Sequence, residues 1–118
     1  MTFKATYLGS NGWIIEFSKT RIVIDPWLLG DLIFPPGGWF FKGTLKDEIP
    51  TPENIDLILL TQGLPDHCHI PSLNKFPKKT TVICSKSASK VLDELNFESI
   101  NIMQPGQNLN FNDINIEA

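Results

Sequence analysis

One short run constrains this chain more than any other: Ile55-Asp56-Leu57-Ile58-Leu59-Leu60-Thr61, which breaks at once into the polar loop Gln62–Ile70. A nearly continuous apolar segment of this length, too short for a helix of its own, is the pattern of a central strand covered on both faces. A strand of that kind needs neighbours on either side and layers above and below, so the chain must supply a sheet and the helices or second sheet that cover it. The loops at the carboxyl ends of such strands are where scaffolds place reactive groups.

The flanking sequence supplies those neighbours. Phe3–Leu8 alternates apolar and polar residues as a half-buried strand, and Gly9-Ser10-Asn11-Gly12 is a turn cluster. Trp13–Phe17 and Arg21–Ile24 read as two more strands about Ser18-Lys19-Thr20, giving an antiparallel meander. Beyond the central strand, Pro71–Phe76 suits a short helix and Thr80–Cys84 a strand. Ser85 or Ser87 caps a helix to about Leu95, whose Ala88, Val91, Leu92 and Leu95 share a face. Glu98–Met103 is a further strand, and a final hairpin turns about Asn112-Asp113.

Asp25–Pro50 differs from the rest. Prolines and glycines deny it a regular ladder or helix, yet it carries Trp27, Phe34, Trp39, Phe40 and Phe41. Those aromatics read equally as an apolar wall over a binding edge and as a satellite core or partner surface. The end, Ile114-Asn115-Ile116-Glu117-Ala118, stops in mid-alternation, so residues 1–118 read as a partial domain truncated at the C-terminus.

Composition narrows the function. At 118 residues, 42% hydrophobic and 19% charged, the chain can bury a core. Ten basic against thirteen acidic residues leave a net charge of −3, which excludes a phosphate-tracking nucleic-acid binder. No segment approaches the ~20 apolar residues of a membrane span, and the start has no signal-sequence pattern. Two cysteines make no disulfide framework, so a cytoplasmic location is expected.

Both histidines fall in Asp66-His67-Cys68-His69, directly after the central strand. In an extended backbone, positions two apart face the same side, so His67 and His69 would converge on one ion beside Asp66. The same residues read equally as a capped turn with a hydrogen-bonded histidine. Beyond the adjacent histidines, nothing marks Cys68 as an activated nucleophile, and Cys84 reads as a small buried hydrophobe.

The order of these features resembles the N-terminal half of the metallo-β-lactamase superfamily: a meander, Ile24-Asp25-Pro26, and an apolar strand running into Thr61-Gln62-Gly63-Leu64-Pro65-Asp66-His67, where relatives carry Thr-His-x-His-x-Asp-His. The opening Tyr7–Ile14 is similar to the ascorbate-phosphate lactonase-like subgroup. The stretches DPWLLGDLIF and TQGLPDHCH are similar to a photosynthetic-lineage branch of zinc-dependent hydrolases. The resemblance implies an α+β fold, half of an αββα sandwich built on a mostly antiparallel mixed sheet with helices on one face. It implies hydrolysis of an ester, lactone or phosphoester through a metal-bound hydroxide.

It also implies Asp66 as the catalytic position, Asp66 and His67 as metal ligands, and Asp25 as organiser of the loop; His69, at a position that is not a standard ligand in relatives, is the candidate substitute for the third. Trp27, Trp39 and Phe40 become a substrate wall. Gln62 and Leu64 stand where relatives have the first two histidines; a carboxamide is a weak zinc ligand and a leucine is none. One zinc ion at most is expected, and a metal-free, non-catalytic binding or structural relative is the alternative. The expected partners are a small-molecule substrate and either a second copy of the chain or a missing C-terminal half, without nucleic acid or membrane. Half a sandwich should leave the inner face of its sheet uncovered.

Overall fold

The structure, a computed structural model, describes residues 2–118. Ten strands and two short helices follow one another as β1 (Lys4–Gly9), β2 (Gly12–Phe17), β3 (Thr20–Ile24), β4 (Asp31–Ile33), β5 (Lys42–Thr44), β6 (Leu57–Leu60), α1 (Ile70–Leu73), β7 (Thr81–Cys84), α2 (Lys86–Val91), β8 (Ile100–Ile102), β9 (Asn108–Phe111) and β10 (Ile114–Glu117). A 3-10 turn, Leu92–Leu95, extends α2 to the predicted end. Ser85 is its N-cap, accepting a hydrogen bond from the Ala88 N–H.

Six strands form one mixed sheet in the order β1-β2-β3-β6-β7-β8. The meander β1-β2-β3 is antiparallel, as its three short connected runs require. From β3 onward the neighbours run parallel: β3 with β6, β6 with β7, β7 with β8. The central run of the sequence is therefore β6, flanked on both sides, with Leu57, Ile58 and Leu60 almost wholly buried.

The two sheet faces bury different partners. Ile14, Val23, Ile58 and Val82 pack beneath α1, α2 and the loops, against Leu28, Leu73, Phe76 and Leu92. Ile22, Leu57 and Ile83 point the other way, against Met103 and the half-buried Leu109, Phe111, Ile114 and Ile116 of the β9–β10 hairpin. The expectation of an uncovered inner face needs correction here, because the terminal hairpin folds back over it. Among the described residues its strands pair only with each other, and Asn112 Nδ2 ties its turn to the buried Thr20 hydroxyl at 3.1 Å. Between hairpin and sheet lies an apolar cavity of about 330 Å³, lined by Leu59, Thr61, Ile83, Met103, Pro105 and Ile116 among others.

The Pro/Gly-rich stretch also holds more order than its composition predicts. β4 and β5 pair antiparallel, Asp31 opposite Thr44 and Ile33 opposite Lys42, and the aromatic segment forms the excursion between them. Among the described residues, no helix is long and apolar enough to cross a membrane.

Candidate metal centre

Register brings three chain-distant segments to one end of the sheet. β3 and β6 run parallel with Ile24 beside Leu59, so Asp25 and Thr61 leave the sheet at the same end. β2 runs antiparallel to β3 with Trp13 opposite Ile24, so the β1–β2 turn and Asn11 arrive there too. The loop after β6 then carries Asp66 and His67 back over them.

Asp25 organises this corner. It follows β3 directly, in the left-handed region, φ +43°, which a short polar side chain tolerates better than a branched one. Its carboxylate, 3% exposed, accepts three hydrogen bonds: from Thr61 N–H at 2.9 Å, the Thr61 hydroxyl at 2.5 Å and His67 Nδ1–H at 2.7 Å. A proton on Nδ1 leaves Nε2 with its lone pair free to accept or to ligate. His67 Nε2 faces Asp66, with Oδ2 at 3.6 Å.

Asn11 closes the group. Its Nδ2 lies 3.1 Å from Asp66 Oδ2, 3.3 Å from the Asp66 carbonyl oxygen and 3.3 Å from His67 Nε2. The other carboxylate oxygen of Asp66, Oδ1, is buried with no hydrogen-bond partner. A buried, unmatched carboxylate oxygen is costly unless a proton or cation meets it. The sequence places Asn11 only in a turn cluster; the available signal is its position just before the strand whose Trp13 pairs with Ile24, the residue preceding Asp25.

His69 goes elsewhere. The loop is not extended at this point: the backbone N–H groups of His67 and Cys68 both bond to the Leu64 carbonyl, so the two-residue alternation that would align His67 with His69 fails. The His69 ring is buried, with Nε2–H donating to the Asp31 carbonyl at 3.0 Å and Nδ1 accepting from the Ser72 hydroxyl at 2.7 Å. Ser72 in turn accepts from Leu28 N–H at 2.7 Å. Burial pushes the His69 pKa down, opposed by the Asp31 carbonyl. Both ring nitrogens are committed, so His69 ties the β4 segment to α1 in place of the expected third ligand.

The remaining expected residues spread out. Gln62 is half-buried, while Leu64 is 49% exposed beside the Asp66–His67 turn. Trp27 is half-buried, edge-on to His69 at 6.5 Å between ring centres. Trp39 and Phe40, 82% and 67% exposed, meet edge to face in the β4–β5 excursion and do not pack beneath it as a satellite core. Cys68 is buried and its thiol is pushed up to about 12, first by burial and then by Cys84 and Asp25. Burial likewise raises Cys84 to about 11, so neither presents a thiolate near neutral pH.

Residues 4–118 match the sequence profile of the Beta-lactamase superfamily domain. The chain belongs to this superfamily. Solved structures agree on the fold. A possible metal-dependent hydrolase from Veillonella parvula superposes with a TM-score of 0.70 at 22% identity, covering 98% of this chain and 46% of that one. A metallo hydrolase from the archaeon Ignicoccus hospitalis gives 0.60 at 19% identity, covering 94% and 43%. CmlA, a diiron beta-hydroxylase from Streptomyces venezuelae, gives 0.63 at 20% identity, covering 92% and 22%. The chain thus spans less than half the length of each of these structures. No curated protein matches it in sequence.

The superfamily implies a metal, and the side chains at the corner can be tested for it. A two-ion centre has no complete ligand set here: among the described residues, no group of three or more His, Cys, Asp and Glu is placed to hold a metal ion, and Leu64 offers no lone pair. One ion fits better. His67 has a fixed tautomer with Nε2 toward Asp66, and Asp66 has a buried oxygen without a partner. Imidazole nitrogen and carboxylate oxygen are a normal donor pair for a divalent cation, and the buried Asp25 is the outer partner that such an imidazole uses.

Proposed function

We propose that this chain carries one wall of a single-ion hydrolytic site, with Asp66 and His67 as protein ligands, zinc as the ion and a small ester, lactone or phosphoester as substrate. The observation that supports the reading is the Asp25–His67 hydrogen bond of 2.7 Å, which fixes the imidazole with its bare nitrogen toward Asp66. A bound divalent ion supplies Lewis acidity to a carbonyl or phosphoryl oxygen.

The protein's own part is orientation. Asp25 holds the Nδ1 proton and the ring plane, Thr61 fixes Asp25 from both its amide and its hydroxyl, and Asp66 brings the negative charge that favours a cation. The apolar cavity between hairpin and sheet reaches this corner only at Thr61 and offers room for a substrate's hydrocarbon part; Trp27, Trp39 and Phe40, which do not line it, are the candidate wall of the substrate edge on the β4–β5 side. Further donors come from water, substrate or polypeptide other than residues 1–118.

Metal analysis after loading with zinc and dialysis tests this. About one equivalent per chain is expected, lost in Asp66→Ala. A folded protein that retains no metal overturns the single-ion reading. It then favours the second one, a metal-free binding or structural relative, for which Gln62 and Leu64 at the imidazole positions are the supporting observation.

A further inference from the structure

We infer that Asn11 is the third protein donor of the single-ion site, reached by a half-turn of its carboxamide. The inference rests on the single-ion reading above and adds a ligand that neither the histidine motif nor the superfamily match assigns.

Three atoms define the argument. Asn11 Nδ2, Asp66 Oδ2 and His67 Nε2 form a triangle with edges of 3.1, 3.3 and 3.6 Å. Donors bound to one tetrahedral ion at ~2.1 Å stand ~3.4 Å apart, so the three atoms already occupy the corners of one face of a coordination shell. Nothing needs to move far for an ion to be shared among them.

The chemistry at the Asn11 corner is inverted in the metal-free state. With Nδ1 of His67 protonated toward Asp25, both Nε2 and the Asp66 carboxylate are acceptors, and only the NH₂ of the carboxamide satisfies both. The amide therefore stands in for the cation. When a cation enters, the same NH₂ would point protons at it, whereas rotation about χ2 exchanges NH₂ for Oδ1 at nearly the same place. A carboxamide oxygen is a weaker zinc donor than imidazole or carboxylate, as at Gln62, but at this corner it adds to a pair that already supplies both. The half-turn converts a plug into a ligand and gives the site the donor that Leu64 cannot supply.

Asn11 also has little freedom to do anything else. Gly12, next to it, is buried, and a Cβ there would lie 3.1 Å from the Leu8 Cβ and 3.4 Å from the Asp25 carbonyl oxygen, which keeps the turn tight against β3.

Zinc affinity measured by competition with a chromophoric chelator, on the same protein preparation used for metal analysis, tests the assignment. Wild type is compared with Asn11→Ala, Asn11→Asp and Asp66→Asn, each checked for an unchanged melting transition. The expected result is at least ~10-fold weaker binding in Asn11→Ala, equal or tighter binding in Asn11→Asp, and loss in Asp66→Asn. In the wild type, zinc should also shift the side-chain amide resonances of Asn11 and speed their hydrogen exchange, because the NH₂ leaves both acceptors.

Asn11→Ala binding as tightly as wild type while Asp66→Asn loses zinc overturns the role of Asn11 and leaves the single-ion reading standing. An Asn11 amide signal that zinc does not move has the same meaning. Absence of zinc binding in wild type, or equal binding in Asp66→Asn, overturns the single-ion reading and the Asn11 assignment with it.

Discussion

Asp25 does at the scale of one residue what the whole corner depends on. Its carboxylate accepts from His67 Nδ1–H, so an amide in its place would present an NH₂ to that proton or force the other tautomer. Asp25→Asn should therefore keep the fold's shape, move the His67 proton toward Nε2 in ¹⁵N spectra, and weaken zinc binding by ~10–100-fold. Unchanged nitrogen shifts would refute the orienting role. His69 gives a second prediction. Its pKa is lowered by burial, so the unfolded chain takes up the proton first as pH falls. The stability held in its neutral form is complete above the ordinary histidine value of 6.5 and drains away as pH drops from there through the lowered folded value. Thermal melts across that window should show wild type losing stability faster than His69→Gln; parallel curves would contradict the buried neutral ring. These two residues also mark what was legible. Asp25, Asp66 and His67 were readable because a strand end and a short motif lie in consecutive sequence. The fate of His69 was not, since its two partners are the Ser72 hydroxyl and a carbonyl 38 positions away. Asn11 was hidden for the same reason, 55 positions from Asp66.

Elements were legible where side-chain periodicity had a face to bury. β1, β2, β3, β6, β7 and the β9–β10 hairpin fall close to where alternation or an apolar run places them. β4 and β5 were not, because each is three residues long and together they enclose two prolines and two glycines, so no periodic signal accumulates. The loop after β6 is an element of another kind, held by close contact in place of a ladder. Gly63 donates its N–H to the Ser87 hydroxyl at 3.1 Å, and a Cβ on it would lie 2.7 Å from the Ser87 carbonyl oxygen and 2.9 Å from its carbon. That obstacle is the backbone of α2, which cannot swing aside as a side chain would. Gly63→Ala should cost ~1–3 kcal/mol in urea unfolding and shift the Asp66–His67 turn, read as changed His67 ring resonances. A variant with wild-type stability and spectra would show that the loop does not depend on this approach.

Across the whole molecule, the two faces of the sheet are covered by unequal means. The helix face buries residues from β2, β3, β6 and β7 together with both helices, so its contacts are shared among many elements. The opposite face is closed by the β9–β10 hairpin, whose strands form a separate two-stranded sheet and whose Leu109, Phe111, Ile114 and Ile116 are only half-buried. The cavity of about 330 Å³ beneath it marks incomplete packing against the sheet. An element tied by a few apolar contacts and the Asn112–Thr20 hydrogen bond can lift away without breaking the six-stranded ladder. Cooperative units of this kind open at free energies well below global unfolding, so native-state hydrogen exchange should separate them. The hairpin's paired amides should exchange at least ~100-fold faster than those of Leu57–Leu60, with a weaker denaturant dependence, since little surface is exposed when the hairpin lifts. Adding polypeptide that completes the packing of this face should slow the hairpin amides while leaving β6 unchanged. Equal protection of both regions would mean that the hairpin is part of one cooperative core, and the picture of a lightly latched cover would have to be given up.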